Sequence, residues 1–278
     1  MKTILIRALL TVGLTIGGAA QAQNMIRSCY DAKLAAPSTP RKVDLFVVID
    51  QTTLLDGALK QAVANQVKPF LTAGNGFSVL VFSAFTQGKY TQVLTTGHLD
   101  HPLPTAIRND ISKPLLSKFD QCMKLQPLRA TQLAGGALRQ AFDGTSGDIA
   151  KSDVMASLRA ISANVRQSTA AEKVVLVVSD MLENSSVSSF YSNQAVRKID
   201  PEAEIKKATA SEVLGDFGGA RVYVMGAGLL NNVDAHSKNQ YRDPKTMQAL
   251  RAFWRGYFER SKGQLMEFGE PALLNPIQ

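Results

Sequence analysis

The sequence has 278 residues, of which 45% are hydrophobic and 19% charged, and its formal net charge is +8 at pH 7. These values describe a globular protein with one large domain or two small ones. The positive charge is scattered, without a basic run or interleaved aromatic residues, so the composition argues against nucleic acid as a partner.

The first 22 residues have the pattern of a secretory signal peptide. Lys2 and Arg7 precede an uncharged apolar stretch that ends at Ala20-Gln21-Ala22, a typical cleavage site. A membrane anchor is the alternative, but the apolar stretch is shorter than the ~20 residues that span a bilayer, and glycines interrupt it. We therefore predict cleavage before Gln23, a periplasmic or secreted protein, and no membrane span in the mature chain.

Residues 23–42 form a polar lead-in that contains Cys29, and Cys122 is the second of the two cysteines. In an oxidising compartment, a single disulfide between them is the simplest account. It would close a loop of about 93 residues and contribute ~4–5 kcal/mol on the chain-entropy model. A reactive or metal-binding thiol is the alternative, which the lack of a C-x-x-C pattern disfavours.

Strands and helices alternate along the rest of the chain. The predicted strands, which are apolar or alternating runs, are 45–49, 77–85, 89–96, 173–179, 221–225 and 264–268. The predicted helices, which have apolar residues at helical spacing, are 56–67, 115–123, 129–142, 152–166, 201–214 and 244–260. This order predicts one α/β domain over residues 43–278. It would be a doubly wound three-layer open sheet, mostly parallel, with 89–96 as an antiparallel edge strand.

Acidic residues directly follow two of the predicted buried strands. Asp50 ends the first and is followed by Thr52, and Asp180 ends the strand 173–179. Ligands bind at the carboxyl ends of strands in open α/β sheets, so these side chains lie where a site is expected.

Three motifs resemble those of the von Willebrand factor type A domain, over about residues 43–268. They are VVIDQT at Asp50, Thr131-x-x-x-Gly-x-Ala-Leu at the start of a predicted helix, and VVSD at Asp180. The resemblance implies a metal-ion-dependent adhesion site. In that site Mg²⁺ is held by a DxSxS motif, a loop Thr and a further Asp, and an acidic side chain of a protein partner completes the shell.

The resemblance assigns the ligands Asp50 and Thr52 to the first motif, Thr131 to the second and Asp180 to the third. Leu54 stands where the family has a serine, so one hydroxyl ligand is replaced and a water would have to substitute. Two carboxylates and two hydroxyls are oxygen donors of the type that Mg²⁺ takes. Singly, Asp50, Thr131 and Asp180 also suit caps of helices or turns.

Three functions follow in order of preference. The first is an exported protein-binding module that recognises its partner at the carboxyl edge of the sheet, with Mg²⁺ as a possible cofactor. The second is a metal-free structural subunit of a cell-envelope assembly, which Leu54 favours. A hydrolase comes last, because the sequence offers no acid–base partner for Asp50, and we therefore expect no enzyme.

Other motifs are weaker. His98-Leu99-Asp100-His101 lacks further metal ligands and lies beside Pro102, so it is interpreted as a surface turn. No G-x-G-x-x-G or G-x-S-x-G pattern is present. The aromatic face of residues 253–258 is interpreted as core, with Trp254 or Tyr257 as a contact residue if partly exposed.

Overall fold

A computed structural model describes residues 25–30, 34–83, 91–146, 152–192, 195–229 and 243–278. The predicted signal peptide and the link between the second and third predicted strands lie outside these residues. Within them, no helix is long and apolar enough to cross a membrane.

In the described residues, eight strands form one large and one small sheet. They are β1 (Val43–Asp50), β2 (Gly76–Phe82), β3 (Thr91–His98), β4 (Glu172–Val178), β5 (Tyr191–Ser192), β6 (Ala195–Val196), β7 (Arg221–Met225) and β8 (Gln264–Phe268). The large sheet has the order β3-β2-β1-β4-β7-β8. All its pairs are parallel except β2 with β3. The predicted mostly parallel sheet with one antiparallel edge strand is therefore confirmed.

Helices cover both faces of the sheet. They are α1 (Gly57–Val67), α2 (Thr105–Arg108), α3 (Lys113–Asp143), α4 (Val154–Gln167), α5 (Pro201–Ala210) and α6 (Pro244–Arg260), and a 3₁₀ turn, Lys68–Phe70, follows α1. One core contains residues of α1 and α3, and the other contains residues of α4, α5 and α6. The central strand β1 contributes side chains to both cores. Val47 lies on one side and Val48 on the other, and both are fully buried. A strand buried on both faces has the continuous apolar sequence that β1 shows.

The long helix α3 differs from the prediction. Two helices separated near Pro127 were expected, but one helix runs through the proline. A proline inside a helix lacks an N–H donor and normally breaks the helix. Here tertiary contacts hold both sides: Gln126 donates to the Arg27 carbonyl and the Asp100 carboxylate, and Ala130 packs in the core.

The predicted disulfide is confirmed. Cys29 and Cys122 are bonded, with their Cα atoms 5.6 Å apart. Cys122 lies in α3, within the stretch 115–123 that was predicted to be helical, so the bond fastens the lead-in to a helix. Next to it, the Tyr30 and Phe119 rings pack edge to face with centroids 5.0 Å apart. The lead-in thus has its own small core beyond the sheet.

The aromatic face of α6 is core throughout. Phe253, Trp254, Tyr257 and Phe258 are fully buried, so neither Trp254 nor Tyr257 is exposed for contact with a partner. The Trp254 indole N–H donates to the Met181 carbonyl at 2.8 Å. This bond ties α6 to the loop after β4, which carries half of the site described next.

Candidate functional site

Two acidic side chains lie together at the carboxyl edge of the sheet, the edge at which the parallel strands end. β1 and β4 are adjacent, and Ile49 is the register partner of Val178. The next residues, Asp50 and Ser179, therefore leave the sheet side by side, with Asp180 one position further. Asp50 and Asp180 are each only 1% exposed.

Hydroxyl and amide donors surround the Asp50 carboxylate. Its Oδ1 accepts from the Thr52 backbone N–H at 2.9 Å and from the Thr52 hydroxyl at 2.6 Å. Its Oδ2 accepts from the Ser179 hydroxyl at 2.8 Å and the Ser152 hydroxyl at 3.4 Å. Four donors thus replace the water that burial removes, which buried carboxylates require.

The Asp180 carboxylate has fewer partners. Its Oδ1 accepts from the Leu182 backbone N–H at 2.8 Å, and its Oδ2 accepts from the Tyr191 hydroxyl at 2.8 Å. The Asp180 backbone N–H donates to the Thr53 hydroxyl at 3.0 Å, which joins the end of β4 to the turn after β1.

Burial governs the charge state of this pair. Burial and the nearby charge of Asp50 raise the pKa of Asp180 to about 8. Burial also raises the pKa of Asp50, and its hydrogen bonds to Thr52 and the serine hydroxyls oppose that rise. Two like charges withdrawn from water favour a bound proton or a bound cation between them. Burial and Asp180 raise the pKa of Tyr191 as well, so the phenol remains the donor.

Three of the four predicted ligands meet at this site, and the fourth does not. Asp50 and Thr52 are bonded to each other, and Asp180 leaves the neighbouring strand. Thr131 lies in the middle of α3, is exposed, and donates its hydroxyl to the Pro127 carbonyl at 2.9 Å. The assignment of Thr131 depended on a helix starting there, and α3 starts 18 residues earlier, at Lys113.

Ser152, which the motif did not assign, has its hydroxyl beside Asp50 where Thr131 was expected. The sequence placed it only at the start of the predicted helix 152–166, and in the structure its hydroxyl donates to Asp50 Oδ2. An antiparallel bridge to Asn184 fixes its backbone, with N–O distances of 2.9 and 3.3 Å. Ser152 thus reaches the site through pairing with a distant loop, which periodicity does not reveal.

Ser179, Thr53 and Tyr191 also belong to the site and were missed. Ser179 stands directly before Asp180, and the parallel register of the two strands would have pointed to it. Tyr191 lies 11 residues beyond Asp180 in sequence, in the short strand β5, which no sequence motif marks.

Glu183, in the loop after β4, contacts the start of α4 beside the site. Its side chain is 1% exposed, and its Oε2 accepts from the Met155 N–H in the first turn of α4 at 2.8 Å. Burial raises the pKa of Glu183 to about 7. A carboxylate at this position satisfies a helix N–H that has no partner within the helix. Glu183 therefore holds the start of α4, and with it Ser152, against the loop after β4.

The oxygen atoms at the site are of the type that binds a hard cation. Two carboxylates and the hydroxyls of Thr52, Ser152 and Ser179 are oxygen ligands of the kind that Mg²⁺ binds. In the described part of the chain, no three His, Cys, Asp or Glu side chains are grouped closely enough to hold an ion. An ion here would depend on hydroxyls and water beyond its two carboxylates. Leu54, 43% exposed, offers it no oxygen.

The weaker histidine motif is structural. The Asp100 carboxylate accepts from the Ser28 hydroxyl and the Cys29 N–H, and His101 contacts the Pro40 carbonyl at 3.1 Å. These contacts hold the lead-in beside the disulfide. They lie at the other end of the sheet from the acidic pair, since His98 pairs with the start of β2 and Asp50 pairs with its end.

Comparisons with known proteins identify no family. No protein-family model matches the sequence, and a search of curated proteins returned no significant match. Several solved structures are similar at low identity, and they include the following three. The three N-terminal domains of the type V pili tip protein Mfa5 from Porphyromonas gingivalis match at 15% identity and a TM-score of 0.31, over 51% of this chain and 20% of that one.

The second is an aerotolerance-related membrane protein from Bacteroides fragilis, with 11% identity, a TM-score of 0.36, and coverage of 84% of this chain and 92% of that one. The third is the pilus adhesin SpaC from Lactobacillus rhamnosus GG, with 14% identity, a TM-score of 0.38, and coverage of 82% and 31%. This chain thus spans less than a third of the two pilus proteins. TM-scores and identities this low do not assign the chain to a family.

Proposed function

We propose that this chain is an exported binding module, similar to a von Willebrand factor type A domain, that recognises a protein partner at the carboxyl edge of its sheet. The observation that carries the proposal is the buried pair Asp50 and Asp180, delivered by adjacent strands into one shell of hydroxyls. Burying two carboxylates together is unfavourable, and such arrangements cluster at functional sites.

A Mg²⁺ ion is the proposed compensation for the two charges. Asp50, Asp180, Thr52, Ser152 and Ser179 would hold it, and water would fill the place of a hydroxyl at position 54. An octahedral ion with few protein ligands keeps several waters. An Asp or Glu of the partner would replace one of them and so join the two proteins.

Leu54 adds an exposed apolar side chain to the same edge of the sheet. It lies four residues beyond Asp50 in the turn after β1 and is 43% exposed. An exposed leucine beside an acidic site favours a partner that offers an apolar side chain next to its carboxylate. The departure from the family motif would then serve recognition and not coordination.

Export is part of the proposal. The confirmed disulfide supports an oxidising compartment, which is the periplasm or the outside of the cell. The signal-peptide pattern of residues 1–22 agrees with it.

Calorimetric titration of the mature protein with Mg²⁺ tests the ion. We expect binding heat that Asp50→Ala abolishes and that Asp120→Ala, at a surface acid paired with Arg108, leaves unchanged. Equal heats from wild type and Asp50→Ala would overturn the site.

A pull-down from periplasmic extract, with and without EDTA, tests the partner. Capture by wild type and loss with Asp50→Ala support recognition at this edge.

A metal-free structural subunit is the second candidate. It is favoured because each carboxylate oxygen of Asp50 and Asp180 already accepts a hydrogen bond from the protein. Partner capture that EDTA does not change, together with the absence of Mg²⁺ heat, would select it over the ion-dependent module.

A further inference from the structure

The hydroxyl of Tyr191 takes up an oxygen of Asp180 that an ion would need. It donates to Oδ2 at 2.8 Å, while the other oxygen, Oδ1, accepts from the Leu182 backbone N–H. Leu182 is part of the loop that follows β4 directly, so its N–H cannot move without the strand end. Tyr191 is a side chain on a separate element and can leave.

Tyr191 is held from its N-terminal side by the core. Its neighbour Phe190 is fully buried, and its ring packs edge to face on Phe253, with centroids 5.0 Å apart. Trp254 lies next to the same ring, 6.5 Å away by centroids. The backbone that carries Tyr191 is therefore anchored. The tyrosine ring is partly buried against the same core, so its rotation away from Asp180 moves the ring but leaves the Phe190 packing in place.

Arg197 holds the segment from its C-terminal side. Its guanidinium donates to the Glu204 carboxylate on α5 at 2.7 Å and lies over the Phe190 ring at 5.6 Å from the centroid. The Arg197 Nε–H also donates to the Ser189 carbonyl. These contacts fasten β5 and β6 to α5 and hold the Tyr191 hydroxyl at Asp180.

In the ion-free protein the Tyr191 hydroxyl occupies one oxygen of this pair. Asp50 and Asp180 are each 1% exposed, and a partner or an ion reaches Asp180 Oδ2 only if the tyrosine hydroxyl leaves it. Because the same hydroxyl satisfies the buried acid, this hydrogen bond stabilises the ion-free state. A contact that stabilises the closed state lowers the apparent affinity for any ligand of the open state.

We propose that Tyr191 is a latch: its hydroxyl must leave Asp180 before an ion and a partner's carboxylate bind. The latch rests on the proposed ion-dependent function. It predicts that the ion-free protein resists binding and that removal of the hydroxyl alone facilitates it.

Tyr191→Phe tests the latch, because it keeps the ring and removes the donor. We expect it to tighten Mg²⁺ binding in calorimetry by up to about tenfold, the upper end of the net effect of one hydrogen bond between uncharged groups. Tyr30→Phe is the matched control, since the Tyr30 hydroxyl also donates to a single acceptor, the His101 carbonyl, at 2.8 Å. It should bind Mg²⁺ as wild type does. Thermal unfolding without ion verifies that both variants are folded.

Arg197→Gln opens the latch from the other side without touching a carboxylate of the site. Glu204 keeps Lys207 as an ion partner at 3.0 Å, so the start of α5 retains a salt bridge. We expect Mg²⁺ binding several-fold tighter than wild type.

The outcomes separate the latch from the function. Binding by wild type with equal affinity in Tyr191→Phe and Arg197→Gln overturns the latch and leaves the ion site standing. Weaker binding by Tyr191→Phe also overturns it, since the phenol would then assist the ion. No binding by any variant overturns both. Binding by the variants alone, or more tightly than wild type, supports both.

Discussion

Thr52 donates both its hydroxyl and its backbone N–H to one oxygen of Asp50, at 2.6 and 2.9 Å. The turn after β1 is therefore organised around the carboxylate, and the carboxylate is oriented by the turn. The remaining oxygen points toward Ser179 and Ser152, which come from two other parts of the chain. The charges buried here make the site sensitive to pH, to ions and to single substitutions.

The stability of the ion-free protein should fall as pH rises from about 4 to about 8. The pKa of Asp180 is raised to about 8 in the folded state, from 3.8. The folded protein then binds more protons than the unfolded chain within this window, so raising the pH favours unfolding. Urea unfolding at pH 5, 7 and 9 measures the slope.

Asp180→Asn should remove much of that slope. An amide keeps an acceptor for the Leu182 N–H and carries no charge, so the variant should be more stable than wild type at pH 9. Asp120→Asn is the control at an exposed acid. A wild-type stability that rises across this window, or the same slope in Asp180→Asn, would contradict the raised pKa.

Leu54→Ser should tighten Mg²⁺ binding several-fold. The substitution restores the third position of the motif and adds one oxygen ligand in place of a water. Leu128→Ser is the matched control, because Leu128 is 61% exposed on α3. Calorimetry compares the three proteins, and an unchanged affinity in Leu54→Ser would mean that position 54 does not face the ion.

Ser152→Ala should weaken Mg²⁺ binding, and Thr131→Ala should leave it unchanged. Ser152 is bonded to Asp50, whereas the Thr131 hydroxyl is bonded to its own helix. Loss of one hydroxyl ligand or orienting bond corresponds to ~1 kcal/mol, a several-fold change in affinity. The reverse result, with Thr131→Ala as the weaker binder, would restore the assignment made from the motif.

Glu183→Ala should destabilise the protein by ~1–3 kcal/mol, because it leaves the buried Met155 N–H without its acceptor. Glu183→Gln should be milder, since its amide oxygen still accepts. Burial raises the pKa of Glu183 to about 7. The wild type should therefore lose stability relative to Glu183→Gln as the pH rises from 5 to 8, because the folded state must release a proton that the unfolded chain has already lost. Chemical unfolding at pH 5 and 8 tests both statements.

Cys29→Ser with Cys122→Ser should lower the free energy of unfolding by ~2–5 kcal/mol. The bond closes a separation of 93 residues and holds the lead-in against α3. Thiol counting on denatured protein from the periplasm should find no free thiol. Two free thiols, or full stability without the bond, would contradict the prediction.

Local pattern was sufficient for the sheet. The apolar run that ends on Asp50 and the run that ends on Asp180 predicted buried strands because a strand covered on both faces needs apolar residues at every position. The edge strand alternates because only one of its faces is covered, and β3 is indeed antiparallel to β2. With only two cysteines, the disulfide had a single possible pairing.

Long-range contacts decided the rest. α3 continues through Pro127 because Gln126 and Ala130 are held by groups distant in sequence, which helix propensity does not include. That continuation placed Thr131 on an exposed face, whereas the bridge to Asn184 brings the Ser152 hydroxyl to Asp50.

The sequence by itself thus determined the six strands of the large sheet, the fold class and the two acids of the candidate site, because each depends on hydrophobic period or on a strand end. Only the tertiary structure decided which hydroxyls meet those acids, that β5 and β6 form, and that Tyr191 donates to one of the acids. The reason is physical: a hydrogen bond between elements depends on how strands and loops are placed in space, and spacing along the chain does not encode that placement.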